Sequence, residues 1–229
     1  MRKFFITGTD TEIGKTMISM LITKTLVESG KNVEYFKPFQ TGCKDEMDVD
    51  SDAKFVIQNI ESWKSKPIRE RVGVIYKNPK APWFAARNED KIVDLEAVEK
   101  AIPNADITIL EGAGGLMVPI TENILAIDWI KNLEAEVLLV ARAGLGTINH
   151  TLLSLAMLKA KKIKTLGVIF SNPQNKVSPE MISENIEAIE KFGETKVLGV
   201  IPHIEDPKSS ISSKIILNEI CDKILLQSF

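Results

Sequence analysis

Residues 8–16 read Gly-Thr-Asp-Thr-Glu-Ile-Gly-Lys-Thr, and this short stretch constrains the chain more than any other. An apolar run, Phe4–Ile6, precedes it, and an apolar-periodic stretch from Met17 to Val27 follows it. A strand, a glycine-bounded loop ending in Gly-Lys-Thr and a helix make up a phosphate-binding loop. The glycines let backbone N–H groups turn toward phosphate oxygens, and the helix that begins near Gly14 adds the positive end of its dipole.

The side chains of this loop have distinct expected roles. Lys15 supplies a mobile positive charge for the β- and γ-phosphates, and the Thr16 hydroxyl is the usual ligand of Mg²⁺. The common pattern has four residues between its two glycines, whereas five residues separate Gly8 from Gly14. The sequence therefore predicts a nucleotide site whose loop is longer than usual.

Composition and charge narrow the classes of function. The net charge of the 229 residues is −2 and no basic block occurs, so nothing points to nucleic acid or an anionic membrane as a partner. No apolar run is long enough to cross a bilayer. Residues 1–5 are not expected to begin a signal peptide, because Thr7–Asp10 interrupts the apolar run. Two cysteines far apart in the sequence, Cys43 and Cys221, favour a reducing, cytoplasmic setting.

Apolar periodicity predicts strands that alternate with helices. We therefore expect residues 1–229 to form a single α/β domain, with a mostly parallel sheet covered by helices on both faces, as in phosphate-loop nucleotide hydrolases. The predicted strands are Lys3–Thr7, Val33–Lys37, Val72–Tyr76, Asp106–Leu110, Val137–Ala141, Thr165–Phe170 and Lys196–Ile201. The predicted helices are Lys15–Ser29, Asp52–Asn59, Leu95–Ile102, Thr121–Asn132, Thr147–Lys161, Pro179–Phe192 and a last one that ends near Leu226.

Several residues are expected to bound these elements. Pro38 should stop the second strand, and the prolines of residues 78–82 should keep that segment a loop. Ser51 should cap the second helix, Gly30 should follow the end of the first, and residues 209–213 should cap the last.

Polar clusters follow most of the predicted strands. They are Gly8–Thr16, Lys37–Thr41, Glu111–Gly115, Gly144–Asn149, Ser171–Asn172 and Pro202–Ile204. Ligands bind at the carboxyl ends of the strands in such sheets, so we expect these clusters to converge on one edge.

Three residues on this edge suit the chemistry of a nucleotide site. Lys37 ends the second strand, and Pro38 fixes the direction in which the chain leaves. Asp52 begins a helix, and Glu111 ends an apolar strand, which is the place of the acid that follows a Walker B strand. Together Thr16, Asp52 and Glu111 offer oxygen ligands that suit a Mg²⁺ ion retaining some of its waters.

A second glycine-rich segment, Gly144–His150, also leads into a helix. Helix N-termini bind anions through N–H groups and the helix dipole. Nothing here resembles a second Gly-Lys-Thr, so a carboxylate is a more suitable anion than a triphosphate. His150 and His203 are interpreted as hydrogen-bonded packing residues rather than as an acid or base.

These residues together resemble the dethiobiotin synthetases, ATP-dependent enzymes of biotin synthesis. The resemblance spans residues 3 to about 204 and includes the lengthened phosphate loop. The matching motifs are residues 8–16, Tyr-Phe-Lys-Pro at 35–38, Ser-Asp-Ala at 51–53, Glu-Gly-Ala-Gly-Gly at 111–115 and Gly-Leu-Gly-Thr-Ile-Asn-His at 144–150.

The resemblance implies a set of nucleotide and metal contacts. Mg²⁺ would be bound by Thr16, Asp52 and Glu111. The nucleotide would contact Glu12, Ile13, Gly14, Lys15, Thr16, Met17, Asp52, Glu111, Gly112, Ala113 and Gly114. Adenine would lie beside Pro202, His203, Ile204 and either Ser171 or Asn172.

The resemblance also implies the substrates and the reaction. An amine of 7,8-diaminopelargonate takes up CO₂, and Lys37, with Lys15, Thr11 and Thr41 nearby, steadies the carbamate. The carbamate attacks the γ-phosphate of ATP, and the carbamic–phosphoric anhydride closes to dethiobiotin with release of ADP and phosphate. The substrate carboxylate would bind across a homodimer interface to Gly146, Thr147, Ile148 and Asn149.

Two other functions of phosphate-loop proteins remain as alternatives. A nucleotide switch of the partitioning or nitrogenase-iron-protein kind carries an additional lysine four positions before the last glycine of the loop, where this chain has Asp10. A GTPase would read guanine with Asn-Lys-x-Asp, which Asn175-Lys176-Val177-Ser178 matches except for the acid.

Overall fold

Strands and helices alternate as the periodicity predicts, and a computed structural model describes residues 1–173, 176–204 and 211–226. The strands are β1 Arg2–Gly8, β2 Val33–Thr41, β3 Val72–Tyr76, β4 Ile107–Gly115, β5 Glu136–Arg142, β6 Thr165–Asn172 and β7 Val197–Pro202. The helices are α1 Lys15–Glu28, α2 Asp52–Asn59, α3 Pro82–Arg87, α4 Leu95–Lys100, α5 Ala126–Asn132, α6 Thr147–Ala160, α7 Pro179–Gly193 and α8 Ile211–Leu226. Two 3₁₀ turns, Glu61–Trp63 and Ile68–Arg71, lie between α2 and β3.

The strands pair in the order β3-β2-β4-β1-β5-β6-β7, and every pairing within the described residues is parallel. The first strand lies in the middle, with β4 on one side and β5 on the other. The strand order therefore reverses at β1, and ligands of open α/β sheets bind at such a point, beyond the carboxyl ends of the strands. The phosphate loop leaves β1 at this end.

Alternate side chains of β1 pack on opposite faces of the sheet, as the two-residue period of a strand requires. Phe4 and Ile6 belong to the hydrophobic cluster that includes residues of α1, α2 and α8. Phe5 belongs to the second cluster, which includes residues of α3 to α7. The predicted parallel sheet with helices on both faces is confirmed. Within the described chain, no helix is long and apolar enough to cross a bilayer.

The sequence predicted that the second strand would stop at Pro38, but the strand continues to Thr41. It pairs with β4 only as far as Phe36, and from Lys37 onward it pairs with β3. The pairing with β3 passes from Lys37 to Phe39 and omits Pro38. A proline without an N–H is tolerated because it occupies a position that the ladder leaves out.

Three further differences from prediction have a clear physical cause. The fourth strand continues through the expected turn at 111–115, because Gly115 comes close enough to pair with Gly8; a Cβ on Gly115 would lie 2.9 Å from the Gly8 carbonyl oxygen. Helix α5 begins at Ala126 rather than Thr121, since the preceding residues form a turn closed by the Pro119–Leu125 bridge. Pro82 is the first residue of α3 rather than part of a loop, a position where its missing N–H is not needed.

The predicted caps are confirmed where the structure describes them. The Ser51 side chain accepts a hydrogen bond from the Lys54 N–H, and Gly30 follows α1 with a φ of +74°. Of the expected cap at residues 209–213, residues 209 and 210 lie outside the described residues, as does Asn175 of the near-GTPase motif, and α8 is described from Ile211.

Candidate active site at the carboxyl edge of the sheet

The phosphate loop curls back on itself through residues in the left-handed region. Glu12 has a φ of +53° and Gly14, which precedes α1, has a φ of +89°. A Cβ on Gly14 would also lie 2.7 Å from Ser171 Oγ at the end of β6, so only glycine fits. Lys15 folds back over the loop, and its Nζ donates a hydrogen bond of 2.9 Å to the Asp10 carbonyl oxygen.

Two carboxylates and a hydroxyl meet beside this loop. Thr16 Oγ1 lies 2.7 Å from Asp52 Oδ1 and 2.8 Å from Glu111 Oε1. The hydroxyl has one proton, which it can donate to only one of them at a time. Two carboxylates this close need a cation between them, and the Lys37 ammonium supplies it, 2.6 Å from Asp52 Oδ2 and 2.9 Å from Glu111 Oε1.

The charges of this centre depend on one another because most of it is buried. Burial lowers the pKa of Lys15, and the nearby Lys37 charge lowers it further. Burial also opposes the charge of Lys37, but Glu111 and Asp52 together outweigh that effect and raise the Lys37 pKa. Burial likewise opposes the charge of Asp52, and Lys37 outweighs it, so the Asp52 pKa is lowered. Lys37 and Asp52 are therefore both charged near neutral pH.

Strand and helix geometry hold these groups in place. Tyr35 and Lys37 are two residues apart on β2 and so face the same side of the sheet. The Tyr35 hydroxyl donates a 2.9 Å hydrogen bond to Glu111 Oε2 on β4. Gln40 Oε1 accepts a 3.0 Å hydrogen bond from the Asp52 N–H, which attaches the start of α2 to the same strand. Burial and the Glu111 charge raise the Tyr35 pKa, so the hydroxyl stays protonated and remains a donor.

The charged side chains of this centre line a cavity of about 630 Å³ that opens at the carboxyl edge of the sheet. Its lining includes the phosphate loop, the end of β2, the loop before α3 and the glycine-rich end of β4. The residues are Thr11, Glu12, Gly14, Lys15, Thr16, Lys37, Phe39, Gln40, Thr41, Asp52, Pro79, Lys80, Ala81, Pro82, Glu111, Gly112, Ala113, Gly114 and Val118.

The donor set fits Mg²⁺ better than a metal that needs many protein ligands. Among the residues that the structure describes, no group of three or more histidine, cysteine, aspartate or glutamate side chains converges on one point. Thr16, Asp52 and Glu111 offer two carboxylates and one hydroxyl. Mg²⁺ is commonly held in this way, with substrate phosphates and water completing its coordination.

Known proteins resemble this chain over most of its length. A family model described as an AAA domain matches residues 2–209. The ATP-dependent dethiobiotin synthetase BioD of Endomicrobium trichonymphae is 37% identical over 85% of this chain and 89% of its own length. The BioD of Paramagnetospirillum magneticum is 37% identical over 88% of both chains. The chain belongs to the dethiobiotin synthetase family. It is an ATP-dependent ligase of this type.

Another relative is larger than this chain. The biotin biosynthesis bifunctional protein BioCD of Bordetella avium is 41% identical over 89% of this chain, which spans 40% of that protein's length. Among solved structures, the MinD cell division protein of Aquifex aeolicus covers 100% of this chain and 99% of its own, with a TM-score of 0.55 at 16% identity. A ParA family ATPase from Chlorobium tepidum covers 99% of this chain and 91% of its own, with a TM-score of 0.52 at 15% identity. At these identities the likeness is one of fold, that of the phosphate-loop nucleotide hydrolases.

Many of the residues expected from the synthetase motifs come together in the cavity. Thr11, Glu12, Thr41 and the segment 112–114 line it beside the charged centre. Ile13 of the loop and Met17 of α1 do not line it. Ile13 packs in the core, and Met17 lines a smaller cavity of about 230 Å³ that is also lined by Asp52.

The segments expected to bind the adenine and the substrate carboxylate lie outside this cavity. Gly146 and Asn149 are exposed at the start of α6, whereas Thr147 is buried with its Oγ1 3.3 Å from Thr151 Oγ1. Ser171 lies against Gly14, as described above. The following Asn172 pairs with Pro202 across β6 and β7, and Pro202 and His203 are exposed.

Sequence reasoning did not single out three residues that contact this centre or the phosphate loop. Tyr35 and Gln40 hold Glu111 and Asp52 as described, and Arg142 forms a 2.6 Å ion pair with Asp10 in the phosphate loop. The two-residue spacing of Tyr35 from Lys37 was the available signal for Tyr35, because it places both on one face of β2. Gln40 lay within the predicted polar cluster Lys37–Thr41, but its contact with Asp52 was not predicted. No local pattern marks Arg142, because its partner Asp10 is distant in sequence.

Proposed function

We propose that this chain converts 7,8-diaminopelargonate, CO₂ and ATP into dethiobiotin, ADP and phosphate, with Mg²⁺ as the metal. The observation that carries the proposal is the meeting of two buried lysines with a carboxylate pair in one cavity beside a phosphate loop. Lys15 and Lys37 are 7% and 4% exposed, respectively. A site that must stabilise both a triphosphate and a second, substrate-borne anion needs two cations placed in this way.

The first anion is the carbamate. An amine of the diamine attacks CO₂ and loses a proton, and the resulting negative charge needs a nearby cation and hydroxyl donors. Lys37 is the cation, and Thr11 and Thr41 line the same cavity as hydroxyl donors. Little water competes for Lys37, because its side chain is only 5% exposed, and a preorganised charge acts most strongly in such surroundings.

The second anion is the phosphoryl group that the carbamate oxygen attacks. Lys15 and the N–H groups at the start of α1 stabilise the charge on its oxygens. Mg²⁺, held by Thr16, Asp52 and Glu111, would neutralise phosphate charge when bound. The second amine then attacks the mixed anhydride and phosphate leaves. The catalysis is mainly positioning and electrostatic stabilisation, and no covalent enzyme intermediate is required.

The substrate carboxylate binds the start of α6 in a neighbouring subunit of a homodimer. Gly146 immediately precedes this helix with a φ of +86°, and no side chain caps the start of the helix, which suits binding of an anion by helix N–H groups and the helix dipole. The surface around it supports a protein contact, because the large apolar side chains of Leu145 and Leu153 are 88% and 60% exposed. Met117 is exposed as well, on the segment that follows β4.

The decisive experiment supplies the purified protein with ATP, MgCl₂, 7,8-diaminopelargonate and isotopically labelled bicarbonate. We expect dethiobiotin that carries the labelled carbon in its ureido ring, in proportion to the phosphate released. Lys37→Ala should keep near-normal affinity for ATP and lose product formation by about 10²–10³-fold, the effect of removing one preorganised donor. Phosphate release that ignores the diamine would refute the proposal.

A nucleotide switch is the second candidate, because the chains with the same fold include a MinD cell division protein and a ParA family ATPase. The position that bears the signature lysine in such switches is Asp10, and its carboxylate is paired with Arg142. A switch would hydrolyse ATP slowly in the same assay and produce no dethiobiotin.

A further inference from the structure

Among the hydrogen bonds of the described residues, the Tyr35 hydroxyl is the donor to Glu111 Oε2. Both residues are fully buried, at 0% exposure. The 2.9 Å hydrogen bond joins β2 to β4. These strands are paired here, with Tyr35 opposite Ile109 and Phe36 opposite Leu110. The position of the tyrosine ring is therefore set by the sheet itself, and its hydroxyl reaches Glu111 without depending on any loop.

The two oxygens of Glu111 have different surroundings. Oε1 faces Thr16 Oγ1 at 2.8 Å and the Lys37 ammonium at 2.9 Å, so it points to the place where a cation is needed. Oε2 faces away from that place and accepts the tyrosine hydroxyl. Rotating the carboxylate to offer both oxygens to one cation would break the bond from Tyr35 and leave a buried hydroxyl unpaired, which is costly.

We propose that Tyr35 restricts Glu111 to a single oxygen ligand and thereby makes the metal site select Mg²⁺ over larger divalent cations. The proposal rests on the Mg²⁺ site of the proposed function and adds a determinant of metal choice. Mg²⁺ requires near-octahedral coordination at 2.0–2.1 Å and takes carboxylates through one oxygen, whereas Ca²⁺ takes six to eight oxygens and accepts both oxygens of one carboxylate. A carboxylate with one oxygen already bonded suits the first ion and not the second.

Tyr35→Phe tests this with little disturbance of packing, because it removes only the hydroxyl from a ring in the core. Tyr76→Phe is the matched control. Tyr76 is also a fully buried tyrosine of the sheet, in β3, but it belongs to the hydrophobic cluster on the opposite face from Tyr35. Both variants lose one buried hydroxyl, and only one of them loses a bond to Glu111.

The measurement is calorimetric binding of a non-hydrolysable ATP analogue at saturating Mg²⁺, at saturating Ca²⁺, and with EDTA. We expect the wild type to bind the analogue more tightly with Mg²⁺ than with Ca²⁺. Tyr35→Phe should reduce this preference by about tenfold, the effect of one hydrogen bond to a charged group, and leave the EDTA affinity unchanged. Tyr76→Phe should keep the wild-type preference. An infrared difference spectrum of Tyr35→Phe with Ca²⁺ should show the narrower carboxylate band splitting of two-oxygen coordination.

Two results would overturn the proposal, and they differ in what they say of the metal site. If Tyr35→Phe keeps the wild-type preference while Glu111→Gln removes the metal dependence of binding, Glu111 binds the metal and Tyr35 does not govern the choice. If Glu111→Gln leaves the metal dependence of binding intact, Glu111 is not a metal ligand, and the role proposed for Tyr35 is refuted as well. Formation of dethiobiotin is measured in a separate assay, so a negative result for Tyr35 does not refute the proposed reaction.

Discussion

Replacing Lys37 by methionine isolates what its charge contributes to the folded protein. Methionine keeps most of the apolar stem and removes the ammonium that lies 2.6 Å from Asp52 Oδ2 and 2.9 Å from Glu111 Oε1. Glu111 is fully buried, whereas the Asp52 side chain is 25% exposed and retains some contact with water. The consequence should therefore be greatest at Glu111, which loses its ionic partner without access to solvent.

The cost follows from leaving a buried charge without its partner. Removing one partner of a buried ion pair costs about 3–5 kcal/mol, and the partial exposure of Asp52 places this case toward the lower end of that range. We expect Lys37→Met to lower the free energy of unfolding by about 3–4 kcal/mol at pH 7, within the range found when one partner of a buried ion pair is removed. The midpoint of thermal unfolding should fall by roughly 6–16 °C.

The assay is urea and thermal unfolding in EDTA, with Lys100→Met as the control. Lys100 forms an ion pair with Glu96 on the surface of α4, and both side chains are exposed. Removing this charge should change stability by less than about 0.5 kcal/mol. The two variants make the same chemical change, so the difference between them reports the burial of the pair.

The pH dependence has a definite sign. Burial opposes the charge of Asp52, but Lys37 outweighs it and lowers the Asp52 pKa. In the wild type this carboxylate therefore adds stability above its unfolded pKa of about 3.9, and that contribution is lost as the pH falls through the lower folded pKa. Lys37→Met lacks the contribution, so its deficit relative to the wild type should shrink as the pH falls below about 4. Lys37 itself stays charged near neutral pH, because the carboxylates raise its pKa. A loss below about 1 kcal/mol at pH 7, or a deficit that does not change with pH, would refute this reasoning.

Three further predictions concern other parts of the chain. Lys15→Ala should weaken ATP binding as well as phosphate release, and calorimetry showing wild-type affinity would remove Lys15 from the phosphate site. Gly167→Ala should cost about 1–3 kcal/mol or more in urea unfolding, because Gly167 has a φ of +151° and its new Cβ would lie 2.5 Å from Leu198 Cγ; Gly30→Ala, with a φ of +74° and no neighbouring atom within 4 Å, should cost less. Burial raises the pKa of the Cys43 thiol from 9.0 to about 11, so its alkylation near pH 8 should be roughly a hundredfold slower than in the urea-unfolded chain, and equal rates would show that the thiol is not buried.

Local patterns account for the parts of the fold that were predicted correctly. The strand period, the helix caps and the Gly-Lys-Thr turn depend on residues that are close in the sequence. Helix α2 and its Ser51 cap were therefore predicted with their observed bounds. Element ends that depend on a neighbouring strand were not. The continuation of β2 past Pro38 requires a change of pairing from β4 to β3, and no local signal announces that change.

The residues of the site likewise comprise some that the sequence predicted and others that only the tertiary structure brought together. The phosphate loop, the acid after an apolar strand and the order of the motifs could be predicted from the sequence, because each motif is defined by residues only a few positions apart. Which charges meet was decided only in the tertiary structure. Lys37 and Glu111 are 74 residues apart, and their contact depends on β2 and β4 being neighbours in the sheet. Tyr35 became part of the centre for the same reason, since its hydroxyl reaches Glu111 only when those two strands are paired.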